Sequence, residues 1–280
     1  MTDHPSRHTL RIQAKALTLL LATLAVTVHP ALSQPLPSLD KVDGVVRGEM
    51  ARQHIPGLAV AIVKDGAPVL VRGYGLANVE HDVPVIPETM FESGSLGKQF
   101  TAAAVMLQVE AGRLSLEDPI NTFFPGAPVG WRAIKVRHLL THTSGIPDYT
   151  VGTFDYRKDY DDDALVREAM ELKLEFPAGT RWNYSNTGYV LLGVIVHKVS
   201  GQFYGDVLKA RVFTPLGMTT ARVISEAAIV KHRSAGYVLR DGVLANQDWV
   251  SPTLNTTADG SLYLSLRDYL AWDAGVRGRR

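Results

Sequence analysis

Residues 96–111, LGKQFTAAAVMLQVEA, predict a helix, with Gly112 placed as its C-terminal stop. Phe100, Ala103, Ala104, Val105, Met106, Leu107 and Val109 cover nearly every face of it. A helix that is apolar all round has no side to give to water, so it is expected to be buried on all sides by other parts of the chain. That demand needs a sizeable core. With 280 residues, 46% of them hydrophobic, the chain can supply one as a single large domain or as two closely packed lobes.

The elements that would surround this helix are readable. Leu39, Val42, Val46 and Met50 recur at helical spacing before Ile-Pro-Gly at 55–57, which predicts a surface helix. LAVAIV at 58–63 and PVLVRGYG at 68–75, joined by Lys-Asp-Gly at 64–66, predict two strands of an antiparallel hairpin. Further helices are signalled at 164–174, at 187–199 before Gly201, at 204–212 and at 266–272. The fold class is therefore α+β: an antiparallel sheet flanked by helices, with a mostly helical lobe. DYRKDYDDD at 155–163 reads as a solvated loop whose last acids favour the start of the next helix, and it lacks calcium-loop spacing.

Several function classes are excluded by composition. The net charge of +1, with charged residues at 20%, gives no field to recruit nucleic acid or an anionic membrane surface. The absence of cysteine rules out disulfides, thiolate catalysis and cysteine-ligated zinc. At the N-terminus, Arg7, Arg11 and Lys15 precede an apolar run at 16–28, with Ala31 and Ser33 placed for cleavage before Gln34. The run has 13 residues, short of the roughly 20 of a membrane span. Residues 1–33 are thus expected to be an export signal and 34–280 the mature domain, periplasmic or secreted and without a membrane span.

The first turn of the apolar helix holds Lys98. Serine before a helix is usually an N-cap, and Ser93 or Ser95 could serve. A capping box, however, wants Glu or Gln three residues after the cap, and Ser95 is followed at that distance by a cation facing the positive end of the helix dipole. Burial and the dipole both disfavour a charged lysine, so a depressed pKa and an accessible neutral amine are expected. At i and i+3 that amine would reach the Ser95 hydroxyl and deprotonate it. Ser-x-x-Lys alone is weak, since Ser38 to Lys41 repeats it. The context differs at Ser95, where Gly94 and Gly97 allow close approach of other backbone or of substrate. Cap and nucleophile both stand as readings of Ser95 on this feature alone.

A second constellation, PAGTRWNYSNTGYVLLG, places Tyr184 and Asn186 two apart just before another buried helix, where both can face one cleft. Asn186 or Ser185 could equally cap that helix, with Tyr184 a half-buried aromatic. A phenol near a lysine can carry a proton, and an amide can fix a substrate's amide or carboxylate. Trp182 reads as a core aromatic, with the cleft wall as the alternative. His138 and His142 are i and i+4, but Leu139 stands where a zinc protease has Glu, so no metal or other cofactor is expected. A Ser-His-Asp triad is disfavoured because Ser95 lacks the full Gly-x-Ser-x-Gly elbow.

SGSLGK, followed about ninety residues later by YSN, with LLTHTSGIPDY between and PLGM after, resembles the serine β-lactamase-related family of class C β-lactamases, D-alanyl-D-alanine carboxypeptidases and esterases. The resemblance runs from about Leu39 to Trp272. It implies a β-lactamase/transpeptidase-like fold in which Ser95 is acylated, Lys98 is a base, Tyr184 relays protons and Asn186 holds a small-molecule or peptidoglycan-derived substrate. Family members carry a third element, Lys-Thr-Gly or His-x-Gly, on a strand closing the cleft, and no such sequence follows Asn186. TADGSLYLSLRDYLAW at 257–272 resembles the family's glycine-rich loop and following helix. The chain is therefore expected to be a hydrolase of this type whose C-terminal sheet strands are missing. One oxyanion donor would go with them, at a cost on the order of 10²- to 10³-fold in rate. A non-catalytic penicillin- or peptidoglycan-binding module, or an inactive fragment, is the alternative.

Overall fold

The computed structural model describes residues 38–150 and 154–278; the expected export signal lies outside them. Contacts divide the chain into Met1–Val42 and Asp43–Arg280. Within the first unit, the Lys41 N–H donates to Ser38 Oγ at 3.3 Å, so this copy of Ser-x-x-Lys is an ordinary helix start. Helix α1 (Leu39–Gln53) buries none of its residues, as a surface helix should.

In the second unit, β1 (Gly57–Lys64) and β2 (Ala67–Asn78) form the expected hairpin. Asp65 and Gly66 take φ values of 50° and 81°, the left-handed pair that a two-residue turn between twisted strands requires. A short β3 (Val83–Pro84) extends the sheet in the order β1-β2-β3. A second antiparallel sheet combines β4 (Phe91–Glu92), β5 (Arg222–Val223) and β8 (Leu262–Leu264) in the order β4-β8-β5. A separate hairpin joins β6 (Tyr237–Arg240) to β7 (Val243–Asn246).

The helices are α2 (Lys98–Glu110), α3 (Val136–Leu140), α4 (Asp162–Glu171), α5 (Asn186–Ser200), α6 (Tyr204–Leu208), α7 (Thr214–Leu216) and α8 (Leu266–Val276). A π-helical turn, Lys209–Phe213, links α6 to α7. The acidic loop ends as expected, with Asp161 capping α4 by accepting from the Ala164 N–H at 2.6 Å. Helix α5 starts on Ser185, which accepts from the Gly188 N–H at 3.3 Å, and stops at Gly201 with φ 69°.

The apolar helix departs from expectation. In α2, Phe100, Thr101, Ala104, Val105 and Gln108 are buried, but Met106 is 46% exposed and Ala103, Leu107 and Val109 are only half-buried. That face lines an apolar groove of about 580 Å³ together with Val212, Pro215, Trp272 and Val276. The helix enclosed on every side is α5, where all ten residues from Thr187 to Val196 are buried. Composition alone could not separate the two, since both read as continuous apolar runs. The buried face of α2 packs on α5 and α6 in one core with Leu191, Leu192, Ile195, Leu208 and Phe213. Phe100 anchors it, edge-on to Phe213 at 5.8 Å and 4.6 Å from the Trp272 ring.

Candidate active site

A 3-10 turn, Gly94–Gly97, runs directly into α2 and carries Ser95 at its exposed surface. Three side chains from this region reach three successive carbonyls of the loop 258–260. Thr101 Oγ1 donates to the Ala258 carbonyl at 2.6 Å, Lys98 Nζ donates to that of Asp259, and Ser93 Oγ donates to that of Gly260 at 2.8 Å. The two segments touch through glycine. A Cβ on Gly260 would lie 2.5 Å from the Gly94 carbonyl oxygen, and one on Gly97 would lie 2.6 Å from Ser93 Oγ. Of the two glycines flanking Ser95, Gly97 permits the close backbone approach the sequence suggested, its Cβ position 3.1 Å from Gly260 Cα, whereas a Cβ on Gly94 would meet nothing within 4 Å; Gly260 supplies the other side of the approach.

Lys98 is 6% exposed, beneath the open Ser95. Its Nζ lies 3.2 Å from Ser95 Oγ and donates to Asn186 Oδ1 at 2.7 Å. Ser95 Oγ is also 2.5 Å from the Tyr184 hydroxyl, which donates to Asn186 Oδ1 at 3.2 Å. The Tyr184 and Tyr189 rings stand 5.0 and 5.5 Å from Nζ. All four residues singled out in the sequence therefore meet around one hydroxyl. Two of the three Nζ partners are carbonyl oxygens, which can only accept, whereas the Ser95 hydroxyl can accept or donate. With two N–H groups given to the carbonyls, the third position of Nζ is directed at Ser95 Oγ, an N–H in the ammonium and a lone pair in the free amine. In the free-amine form this arrangement can take the hydroxyl proton and make Ser95 a nucleophile.

The Tyr184-Ser185-Asn186 segment divides its work. Ser185 caps α5, which frees the residues on either side of it to face Lys98. Behind Tyr184 lies His142, its ring 4.6 Å from that of Tyr184 and 5.2 Å from that of Tyr189. The Ser185 N–H donates to His142 Nδ1 at 3.2 Å. Burial, with the nearby Lys98 adding to it, holds the His142 pKa below the usual histidine value, which suits an imidazole accepting a backbone proton. His138 instead accepts from the Lys135 N–H, and among the described residues no group of three or more His, Cys, Asp or Glu could hold a metal. Trp182 is no core aromatic, being 66% exposed beside this cluster, with its ring edge-on to His142 at 6.1 Å.

Sequence reasoning passed over Asp148, Tyr149 and Asp259. The Asp148 carboxylate accepts from the Asn186 Nδ2 at 2.9 Å, and the Tyr149 hydroxyl donates to Asp259 Oδ2 at 2.8 Å. Burial first, and then Asp259, pushes the Tyr149 phenol well above its ordinary range, so it stays a donor. The signal lay in the loops HTSGIPDY and TADG, but neither shows what it faces.

A sequence profile described as Beta-lactamase matches residues 42–280. Penicillin-binding protein 4* of Bacillus subtilis (strain 168) is 35% identical over 187 residues, which cover 63% of this chain and 41% of that protein. The match thus spans less than half of that relative's length. The octameric penicillin-binding protein homologue from Pyrococcus abyssi superposes with a TM-score of 0.76 at 33% identity, covering 87% of this chain and 57% of the other. D-amino acid amidase from Ochrobactrum anthropi SV3 gives a TM-score of 0.76 at 28% identity, covering 86% and 70%. The β-lactamase/transpeptidase-like α+β fold implied by the sequence is the fold of these neighbours. The chain belongs to the Beta-lactamase family, the serine β-lactamase-related family that its motifs resemble.

Proposed function

We propose that this protein cleaves an ester or amide through an acyl-enzyme on Ser95. The observation that carries the reading is the double contact of one exposed hydroxyl, Ser95 Oγ, with Lys98 Nζ at 3.2 Å and Tyr184 OH at 2.5 Å. Lys98 takes the Ser95 proton as Oγ attacks the substrate carbonyl carbon, forming the C–O bond and a tetrahedral oxyanion. On collapse the bond to the leaving alkoxide or amine breaks, and Tyr184 delivers a proton to that group while Lys98 replaces it. Water then adds to the ester, giving one proton back through the same pair, and Ser95 is released. Asn186 gives one Nδ2 proton to Asp148 and has a second for the substrate's carbonyl or carboxylate.

The substrate class is a small ester, a D-alanyl peptide or a β-lactam, with esterase or carboxypeptidase-like activity placed ahead of β-lactam hydrolysis. Similarity to a D-amino acid amidase and to penicillin-binding proteins supports an acyl group of this kind. Export is part of the same reading. It rests on the basic, apolar and small-residue pattern at 7–33, and among the described residues no helix is long and apolar enough to cross a membrane. Labelling of the full chain by a fluorophosphonate or penicillin probe tests the chemistry. Labelling lost in Ser95→Ala is the expected result, and equal labelling of that variant would overturn the assignment. N-terminal sequencing of the exported protein should begin at or near Gln34.

A further inference from the structure

The three contacts of Lys98 Nζ admit a lone pair toward Ser95 only while both other partners present oxygen. One partner is a backbone carbonyl. The other is a side-chain amide, which offers oxygen or NH₂ according to how it is turned. Turned the wrong way, Asn186 would point a donor at Nζ and compete for the lone pair that Ser95 needs. Something must therefore hold the amide.

Asp148 sits where it can. Its Oδ2 accepts from both the Asn186 backbone N–H at 3.1 Å and Nδ2 at 2.9 Å. Its Oδ1 accepts from the Thr150 N–H at 2.8 Å and the Thr150 hydroxyl at 2.7 Å. Every partner of this carboxylate is a donor, so it can receive Nδ2 but not Oδ1 of the amide. The next residue does the same for the other partner of Lys98. The Tyr149 hydroxyl donates to Asp259 Oδ2 at 2.8 Å while Thr257 Oγ1 donates to Oδ1 at 2.6 Å, fixing the residue whose carbonyl receives Nζ. The loop itself is tied down, since the Tyr149 N–H donates to Thr187 Oγ1 at 2.9 Å and that hydroxyl donates to the Pro147 carbonyl at 2.7 Å. The Tyr149 ring packs edge-on against Phe154 at 4.8 Å, and Phe154 stacks on Tyr160 at 4.7 Å.

We propose that the consecutive residues Asp148 and Tyr149 are positioning residues that fix the two carbonyl oxygens around Lys98 Nζ, Asp148 by setting the Asn186 amide and Tyr149 by holding Asp259, and so aim the lysine lone pair at Ser95. This deepens the hydrolase reading and rests on it. Neither residue touches the reacting atoms. Their effect belongs to the acylation step and not to binding of the substrate before it.

A double-mutant cycle tests this on the full chain, read as the rate and half-saturation of Ser95 acylation by a fluorophosphonate probe, with Ser95→Ala as the blank. Asp148→Ala and Asn186→Ala are each expected to slow maximal acylation about 10²-fold, as a misaimed catalytic group does, with half-saturation changed less than about threefold in Asp148→Ala, which touches no substrate. If Asp148 acts through Asn186, the double variant is no more than about threefold slower than the slower single one. Tyr149→Phe should cost about tenfold. Multiplied losses in the double variant, or wild-type acylation by Asp148→Ala, would overturn the proposal. Should Asp148→Ala fail to fold, Asp148→Asn keeps the volume and must turn an NH₂ toward Thr150 or Asn186. The same coupling to Asn186→Ala is expected of it, and its absence counts equally against the idea. An unsubstituted chain that shows no Ser95-dependent labelling is a different result, and removes the hydrolase reading itself.

Discussion

Gly260→Ala isolates the contact that joins the start of α2 to the loop 257–260. An added Cβ would meet the Gly94 carbonyl oxygen at 2.5 Å and its carbon at 2.7 Å, where 3.4 Å is the beginning of ordinary contact. From 2.5 to 3.4 Å the two backbones must part by about 0.9 Å, and both obstructing atoms are main chain, so no side chain can turn away. Overpacking of this kind costs about 1–3 kcal/mol. Of the bonds that span the same gap, Ser93 Oγ to the Gly260 carbonyl at 2.8 Å would stretch past useful length, and Lys98 Nζ to that of Asp259 would weaken. Moving the Asp259 carbonyl away from Nζ loosens the hold that aims Lys98 at Ser95 and should slow acylation about 10²-fold. Urea unfolding gives the first number and fluorophosphonate labelling the second. A Gly260→Ala protein with an unchanged midpoint and unchanged labelling rate would show that the close approach at Gly94 is not required, and the account of how Lys98 is held would fall with it.

Tyr184→Phe keeps the ring against His142 and removes the hydroxyl that touches Ser95 and Asn186, so turnover of p-nitrophenyl acetate and nitrocefin should fall about 10²- to 10³-fold with the fold intact. A loss under about fivefold would take Tyr184 out of the proton path. Asp161→Ala removes the cap of α4 and should lower stability by about 1 kcal/mol in urea unfolding while leaving acylation alone; a drop in labelling would contradict the separation of that helix start from the site. Stability should also depend on pH through histidine. Burial first, then Lys98 for His142 and Arg137 for His138, holds both pKa values below the usual 6.5, so the unfolded chain binds more protons in the window beneath it. Their contribution is complete above pH 6.5 and is lost as pH falls through the lowered values. A urea midpoint that rose on acidification from pH 6.5 would reverse the sign and refute the assignment.

What could be read from the chain was what local rules decide. Asp65-Gly66 between two β-rich runs specified the first hairpin, and Ser185 with Gly201 bounded α5, because each acts through its own neighbours. The pairing of Ser95 with Lys98 was legible for the same reason, being i and i+3 on one turn. The exposed face of α2 was not. Its apolar residues match those of a buried helix, and only the placement of α8 and the turn after α6 shows that they border an open groove. Trp182 misleads in the same way, since hydrophobicity argues for burial and only the fold reveals the surface. Asp148 and Tyr149 were in view inside HTSGIPDY, but their partners lie 38 and 110 residues further along. No spacing rule spans such distances.

The start of α2 explains why its serines resist a local reading. Helices α4, α5 and α8 begin on Asp161, Ser185 and Ser265, each of which accepts from a backbone N–H of its own first turn. The turn before α2 has two serines in place, yet neither caps it. Ser93 donates to Gly260 and Ser95 meets Tyr184 and Lys98. Forgoing a cap costs about 1 kcal/mol, and a cation at the positive end of the helix, when charged, adds some 0.3–1 kcal/mol. The bonds from Ser93, Lys98 and Thr101 to the carbonyls of 258–260, worth about 1 kcal/mol each, offset that deficit from a segment some 160 residues away. The site and that loop should therefore order together. In hydrogen exchange, the amides of 94–98 and 258–261 are expected to open with a common free energy, lowered equally at both by Gly260→Ala. Protection at 94–98 that survives while 258–261 exchanges freely would mean that α2 holds its own start, and that Lys98 is placed by the helix alone.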